Sequence, residues 1–281
     1  MRIVAHCLVK NEERFIWYSI MSVINYIDEV MIWDMGSRDK TVNILESLSH
    51  DSRTYGKIKL KKLKNENFFN EPKIRQQMLD ETESDWFIVV DGDEIWWRNS
   101  IKKVVKIIKE RGTEIESIVV PTINLVGDIF HYQDERAGHY HLAGRTGHLN
   151  LRAVKRTIPG LYSAKPHGLW GWVDKDEKMI QDRDQKKIVF IDAPYLHATH
   201  LQRSGSIIFD REVFKRSFKL KHELGLEFPK DYFYPESFFI DRPKIIPFVW
   251  KSMAFSFWLR SLIETPLRKI KRSLIPFKEG Y

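Results

Sequence analysis

The sequence contains a single cysteine, Cys7. An intrachain disulfide is therefore excluded, and a reducing compartment is compatible. Cys7 lies in an apolar run and reads as an inert core residue. Long apolar runs are also missing. No stretch of about 18 uninterrupted apolar residues occurs, so a membrane span is not expected. The first residues carry no signal-peptide h-region with a cleavage site behind it. A glycine-rich phosphate loop with its lysine is absent, as are internal repeats and low-complexity tracts. His131, His139, His141 and His148 lack the tight spacing and cysteine partners of a zinc site, and read as part of an acceptor-facing loop.

What is present is a well-stocked core. Of 281 residues, 43% are hydrophobic, including nine Trp, ten Tyr and seventeen Phe, which excludes a disordered chain. That aromatic load exceeds what an aliphatic core needs, leaving some for a ligand cleft or a membrane-facing surface. The formal charge is +8, and the segment 242–281 carries nine Lys/Arg against two Glu, or +7 of it. Basic residues gathered in a terminal tail and mixed with aromatics suit an anionic membrane surface better than nucleic acid. No nucleic-acid partner is expected.

Strand and helix patterns alternate. Ile3 to Val9 reads as a buried strand, Glu12 to Tyr26 as a helix, and Val30 to Trp33 as a second strand. Lys57 to Leu63 reads as a third strand, Lys73 to Thr82 as a helix, and Trp86 to Val90 as a fourth strand. The order predicts an α/β fold with a mostly parallel, Rossmann-like sheet flanked by helices. Ligands bind beyond the carboxyl ends of such strands. Lys10-Asn11-Glu12, the Asp34 turn and the Asp91 turn should converge there. From Thr122 to His148 periodicity fades, and the segment reads as a long functional loop. Leu149 to Lys155 and Lys187 to Ile191 read as strands, Ser206 to Glu223 as a helix.

The strongest local signal is Trp86-Phe87-Ile88-Val89-Val90-Asp91-Gly92-Asp93-Glu94. A buried strand delivers two carboxylates, separated by one glycine, onto an exposed end. Mg²⁺ or Mn²⁺ takes oxygen ligands and keeps positions open for a diphosphate. An acidic turn closing a strand is the plain alternative. Asp34 at a strand end can accept hydrogen bonds from a nucleoside, Gly36 permits an unusual backbone angle, and Asp39 or Thr41 can cap the next helix. Arg75 can pair with phosphate or be a solvated helix charge.

Taken in order, Val9-Lys10-Asn11-Glu12-Glu13, Asp28-Glu29-Val30 leading to Asp34-x-Gly36-Ser37-x-Asp39-x-Thr41, Arg75, and Asp91-Gly92-Asp93-Glu94 resemble the family 2 glycosyltransferases of GT-A fold. The resemblance spans about residues 2 to 120. It implies a nucleotide-sugar donor, a divalent metal (Mn²⁺ or Mg²⁺) at the Asp-x-Asp motif, inversion at the anomeric carbon, and a glycan or lipid-linked acceptor, as in polysaccharide biosynthesis. Donor contacts would come from Leu8, Lys10, Asn11, Glu12, Asp34, Gly36, Arg75, Asp91 and Gly92. Metal ligands would be Asp91 and Asp93, with His197 in the place of the late histidine that some GT-A enzymes use. Met35 stands where the family often has a second acidic residue, so one nucleoside contact is missing.

The expected organisation is a catalytic domain over 1–241, with a nucleotide-sugar half at 1–120 and an acceptor half at 121–241, followed by a basic tail at 242–281. A general base is sought among Asp174, Asp176, Glu177 and His167, near Trp170-Gly171-Trp172. Each carboxylate taken singly reads first as part of a solvated charged loop, and a histidine such as His197 as a hydrogen-bonded structural residue. The residues alone leave open a nucleotidyl- or phosphoryl-transferase using the same acidic turn, and a non-catalytic sugar- or membrane-binding relative. In the tail, Ser252, Ser256, Arg260 and Glu264 form a narrow polar stripe on an otherwise apolar helix over Phe248 to Glu264, interrupted at Pro266. Such a helix either packs on the domain or lies in a membrane interface, which implies a cytoplasmic protein peripheral to the membrane.

Overall fold

Four apolar runs that stop abruptly at polar residues set the centre of the fold. They form β1 (Ile3–Val9), β2 (Glu29–Asp34), β3 (Ile58–Lys62, less buried) and β4 (Trp86–Val89). Between them lie α1 (Ile16–Val23), α2 (Thr41–His50) and α3 (Glu71–Asp80). The computed structural model describes residues 1–64, 66, 68–164, 170–273 and 278–279. β1 pairs parallel with both β2 and β4, and β2 parallel with β3. Val9 registers with Asp34, and His6 with Val89, so the polar turns after β1, β2 and β4 do leave the sheet along one edge.

β5 (Glu94–Trp96) and α4 (Arg98–Arg111) follow. The rest of the sheet is β6 (Ser117–Val126), β7 (Asp128–Tyr132), β10 (Leu149–Lys155), β13 (Ile188–Phe190), β14 (Tyr195–His200) and β15 (Leu226–Glu227). Two short hairpins lie off it, β8 (Tyr140–Leu142) with β9 (Arg145–Gly147), and β11 (Tyr162–Ala164) with β12 (Gly171–Val173). β10 runs antiparallel between β4 and β6, which makes the sheet mixed around a parallel centre.

Both faces of the sheet are covered, as its continuous apolar strands require. Ile3, Ala5, Cys7 and Val9 join the core beneath α1, α2 and α4. Val4 and Leu8 face Met31, Trp33, Ile74 and Met78 on the other side.

Several segments differ from the sequence reading. α1 begins at Ile16 rather than Glu12, because Asn11 takes φ 55° and the next residues turn into the site. The segment from Thr122 to His148 holds half of β6, all of β7 and the β8–β9 hairpin, so it is no loop. The helix expected from Ser206 splits into α5 (Ile207–Arg211) and α6 (Arg216–Lys219), parted by Lys215 at φ 58°. α7 (Phe255–Ser273) starts later than expected and runs through Pro266. Pro266 and Leu262, the residue whose carbonyl the proline leaves free, both lie on the exposed face, where water can satisfy that oxygen. Ile246 and Val249 belong to the main core, so the body continues past the expected boundary at 241.

Candidate active site

The strand ends open into a cleft of about 910 Å³. Its floor is charged and tightly paired. Asp91 follows β4, and its side chain keeps 30% of its surface exposed. Arg75 of α3 and Arg152 of β10 flank it, each 3.4 Å from a carboxylate oxygen. Arg75 is buried, so the solvated-charge reading fails. Its Nε donates to Glu71 at 3.0 Å and its guanidinium lies 4.3 Å from the Trp170 ring. Arg152 also pairs with buried Glu94.

Asp93 is buried, against the expectation that neither carboxylate enters the core. β5 pairs antiparallel with β14, with Glu94 opposite His197, and the Ala198 N–H donates to the Asp93 carbonyl at 2.8 Å. That register brings His197 Nε2 to 3.4 Å from Asp93 Oδ2. Arg203 Nη1 lies 2.6 Å from the same oxygen and 3.2 Å from Glu12 Oε1. Arg216 closes on Glu12 as well, and donates to the Asn11 carbonyl at 2.6 Å.

These pairings set the charge states. Burial pushes Asp93 up, yet Arg203 and His197 hold it well below the usual carboxylate range. For Glu12 burial wins over Arg203 and Arg216, and its carboxyl is raised to about 8. Burial likewise raises Glu94 and lowers His197. Glu12 Oε2, Arg75 Nη1 and Arg203 Nε are buried without a hydrogen-bond partner among the described residues. Orphaned polar atoms on a cleft floor mark a place for ligand or ordered water. Gly92 is closely approached: a Cβ there would meet Glu12 Cγ at 3.0 Å and Val9 Cγ1 at 3.1 Å, so a side chain would push these neighbours aside by a few tenths of an ångström.

The Glycosyl transferase family 2 pattern matches residues 8–164, over half of the chain. The chain belongs to glycosyl transferase family 2. It is a glycosyltransferase, and this membership supports a nucleotide-sugar donor. No curated protein matches it. Among solved structures it is similar to S. aureus TarS at 14% identity, covering 71% of this chain and 37% of that one, TM-score 0.45. It is also similar to S. aureus TarS 1-349 in complex with UDP-GlcNAc at 15% identity, 78% and 66% coverage and TM-score 0.44. A third is glucosyl-3-phosphoglycerate synthase from Mycobacterium tuberculosis with Mn²⁺, UDP and glucosyl-3-phosphoglycerate, at 15% identity, 70% and 71% coverage and TM-score 0.42. The glycosyltransferase chain spans 37% of the length of the first of these.

Within the glycosyltransferase, Leu8, Lys10, Glu12, Arg75, Asp91, Gly92, Asp93 and His197 all line the cleft. Asn11, Asp34 and Gly36 do not line it and serve the turns behind it. Asp34 Oδ2 accepts the N–H groups of Gly36 and Ser37, each at 2.9 Å, and Gly36 takes φ 85°. Asn11 bridges to Arg38 and to the Phe209 carbonyl. Asp39 Oδ1 accepts from Thr41 N at 2.9 Å at the start of α2, while the Thr41 hydroxyl accepts from Glu12 N.

None of Asp174, Asp176 and Glu177 reaches the cleft. Asp174 accepts from the N–H groups of Asp176 and Lys178 and pairs with Arg183, which makes it the anchor of its own turn, while Asp176 and Glu177 are exposed. His167 lies outside the described residues. Arg152, Arg203, Arg216, Lys219 and Lys221 were missed in the sequence. Only Arg152 carried a signal there, since Asn150 and Arg152 alternate with apolar residues along β10 and so share one polar face.

Proposed function

We propose that this glycosyltransferase moves a sugar from a nucleotide-sugar donor, with a divalent cation, to a glycan or lipid-linked acceptor at an anionic membrane surface, inverting the anomeric carbon. The observation that supports it most is the pairing of Asp93 with His197 on a cleft floor that Asp91 also lines, with orphaned polar atoms beside them.

The donor set fits a hard cation only as a partial shell. Among the described residues no group of three or more His, Cys, Asp or Glu is close enough to hold an ion by itself. Asp93 and His197, with Asp91 near the opening, would supply the protein ligands and leave the remaining positions to the donor's phosphates. When bound, the cation would offset the charge growing on the leaving diphosphate. The chain's own part is to hold the ligands. Arg203 keeps Asp93 ionised, Arg75 and Arg152 fix Asp91 between them, and Leu8, Lys10 and Met35 wall the donor end.

The membrane part rests on α7. Its inner stripe is small or polar: Ser261 and Thr265 are buried, and Thr265 Oγ1 accepts from Leu224 N at 2.8 Å. Phe255, Trp258, Leu259, Leu262, Ile263, Leu267 and Ile270 are all exposed. Arg260, Lys269 and Lys271 lie exposed among or beside them. An apolar half-cylinder with cations at its margin matches an interface of acyl chains and anionic headgroups. No described helix is long and apolar enough to cross a membrane.

The test is release of nucleoside diphosphate from a panel of nucleotide sugars, with Mn²⁺, Mg²⁺ or chelator, and anomeric configuration read by NMR. Metal-dependent turnover with inversion is expected. Turnover unaffected by chelator would overturn the metal assignment, a retained anomer the inversion, and pyrophosphate release the donor chemistry.

A further inference from the structure

The cleft is electrically divided. All of the carboxylates among its lining residues (Glu12, Glu71, Asp91 and Asp93) sit on the donor floor, where arginines face them. The other half is lined by Thr122, Asn124, Gln133, His148, His200, Lys219 and Lys221, without an Asp or Glu among the described lining residues.

The two lysines are aimed by local geometry. α6 ends at Leu220, whose φ −68° and ψ 98° are extended. Residues two apart on extended chain point to the same side. Lys219 and Lys221 accordingly both line the cleft, while Leu220 and His222 turn to a separate hollow beside Arg260 and Arg268 of α7.

The histidines around them are fixed as neutral scaffolding. A carbonyl can only accept, so His200 Nδ1 donates to the Lys219 carbonyl at 2.8 Å, leaving Nε2 to accept from Lys221 Nζ at 3.2 Å. His148 Nε2 donates to the Asp134 carbonyl at 3.1 Å, and its Nδ1 accepts from Asn124 at 3.0 Å. Both rings have spent their nitrogens on the protein. The ammonium groups of Lys219 and Lys221 are cationic donors lining this part of the cleft, and no ion pair forms at either among the described residues. Arg272 behind them is already matched by Glu223 at 2.5 and 2.6 Å.

We propose that this half of the cleft is the acceptor subsite and that Lys219 and Lys221 take a phosphate group carried by the acceptor. The inference relies on the glycosyl-transfer reading only for what occupies the other half. A donor diphosphate is the competing occupant, and position argues against it at Lys221. The charges that act most on Lys221 are those of Arg272, Glu223, Arg268 and Lys219, whereas those that act on Lys219 are Arg203, Asp93, Asp91 and Arg216 of the donor floor. Lys219 therefore stands at the junction of the two halves, and Lys221 on the acceptor side.

The experiment is calorimetric binding of glycerol 3-phosphate to the full chain, alone and with saturating UDP or GDP plus Mn²⁺. Binding is expected in both conditions. Lys221→Gln should weaken it at least tenfold, Lys219→Gln should weaken it measurably, and Lys221→Arg should retain it. The melting temperature should stay unchanged in Lys219→Gln, where the residue is exposed, and Lys221→Arg separates loss of the cation from loss of fold at the half-buried Lys221. No binding by the wild-type chain, displacement by bound nucleotide, or equal affinity in both Gln variants would overturn the subsite. Failure of every nucleotide to bind would instead strike the donor reading and leave the lysine result readable. Dihexanoyl phosphatidic acid distinguishes the source of the phosphate. Binding at least tenfold tighter than glycerol phosphate indicates a lipid-borne group, and equal binding a soluble or glycan-borne one; both support the shared chemistry.

Discussion

Arg203 Nη1 lies 2.6 Å from Asp93 Oδ2, joining two residues 110 positions apart in the chain. The same guanidinium lies 3.2 Å from Glu12 Oε1. One cation thus ties the turn after β4 to the turn after β1, and it makes Asp93 as much a structural residue as a ligand.

Asp91 and Asp93 should therefore behave differently on substitution. Asp91→Asn changes a half-exposed group and is expected to abolish turnover with a melting temperature near wild type. Asp93→Ala leaves Arg203 buried with one fewer counter-charge, at a cost of about 3 kcal/mol, so both stability and turnover should fall. Differential scanning calorimetry beside a turnover assay checks this. Equal stability losses in the two variants would contradict the assignment.

Buried histidines give the fold an acid limit. Burial, with nearby cations, lowers His6 to about 3 and His148 to about 4, and takes His200 well below its ordinary value. Each is depressed below its unfolded value near 6.5, so the unfolded chain binds the extra proton. Their contribution is complete above that value and is lost as pH falls toward 4, at up to about 1.4 kcal/mol per pH unit for each ring. Glu12 has the opposite sign. Raised to about 8, its contribution is present below the unfolded carboxylate value and lost as pH rises through 8. Urea denaturation from pH 4 to 9 should show an acid arm flattened by His148→Gln and an alkaline arm flattened by Glu12→Gln.

Phosphate binding at the lysines should fade in alkali. Burial, followed by the charge of Arg272, lowers Lys221 to about 8. The free ammonium is lost above that pH, while a phosphate ester is already a dianion by pH 7 to 8. Affinity for glycerol 3-phosphate should drop between pH 7.5 and 9.5, and Lys221→Arg should remove the drop. A flat profile in the wild-type chain would count against Lys221 as the anion's partner.

For α7, the double change Trp258→Glu and Ile263→Glu should reduce sedimentation with anionic vesicles at least tenfold and leave the melting temperature unchanged, because both side chains are exposed. Point changes are preferable to a truncation at Asp241, which would remove Ile246 and Val249 from the core. Loss of a concentration-dependent dimer in the variant, with vesicle binding intact, would assign the apolar face to a second copy of the chain.

The parts legible in the sequence were those encoded locally. β1, β2 and β4 are apolar runs closed by Lys10, Asp34 and Asp91, and the edge on which those residues emerge follows from parallel pairing. The pairing of floor carboxylates with Arg152, Arg203 and Arg216 was illegible, because the partners lie 58 to 204 residues from Glu94, Asp93 and Glu12 and a lone arginine announces no partner. β7, β8 and β9 are short and set apart by glycines, so the alternation that marks a strand never runs long enough to count. In α7 the stripe was visible but its orientation was not. The sequence leaves open whether the wide apolar face packs on the domain or lies in a membrane interface, and in the structure Ser261 and Thr265 face the body.

The long-range arginines also bear on how the chain is made. Glu12, Asp93 and Glu94 leave the ribosome well before Arg152, Arg203 and Arg216. A nascent chain of about 120 residues, long enough to form β1 to β4, lacks both these arginines and the strands β10 and β14 that lie over the acidic groups in the whole chain. The floor of the site in the first half is thus completed by the second half. It should close late in synthesis, once residue 216 has emerged, and a graft of the first half onto a foreign second half would need these three arginines carried along.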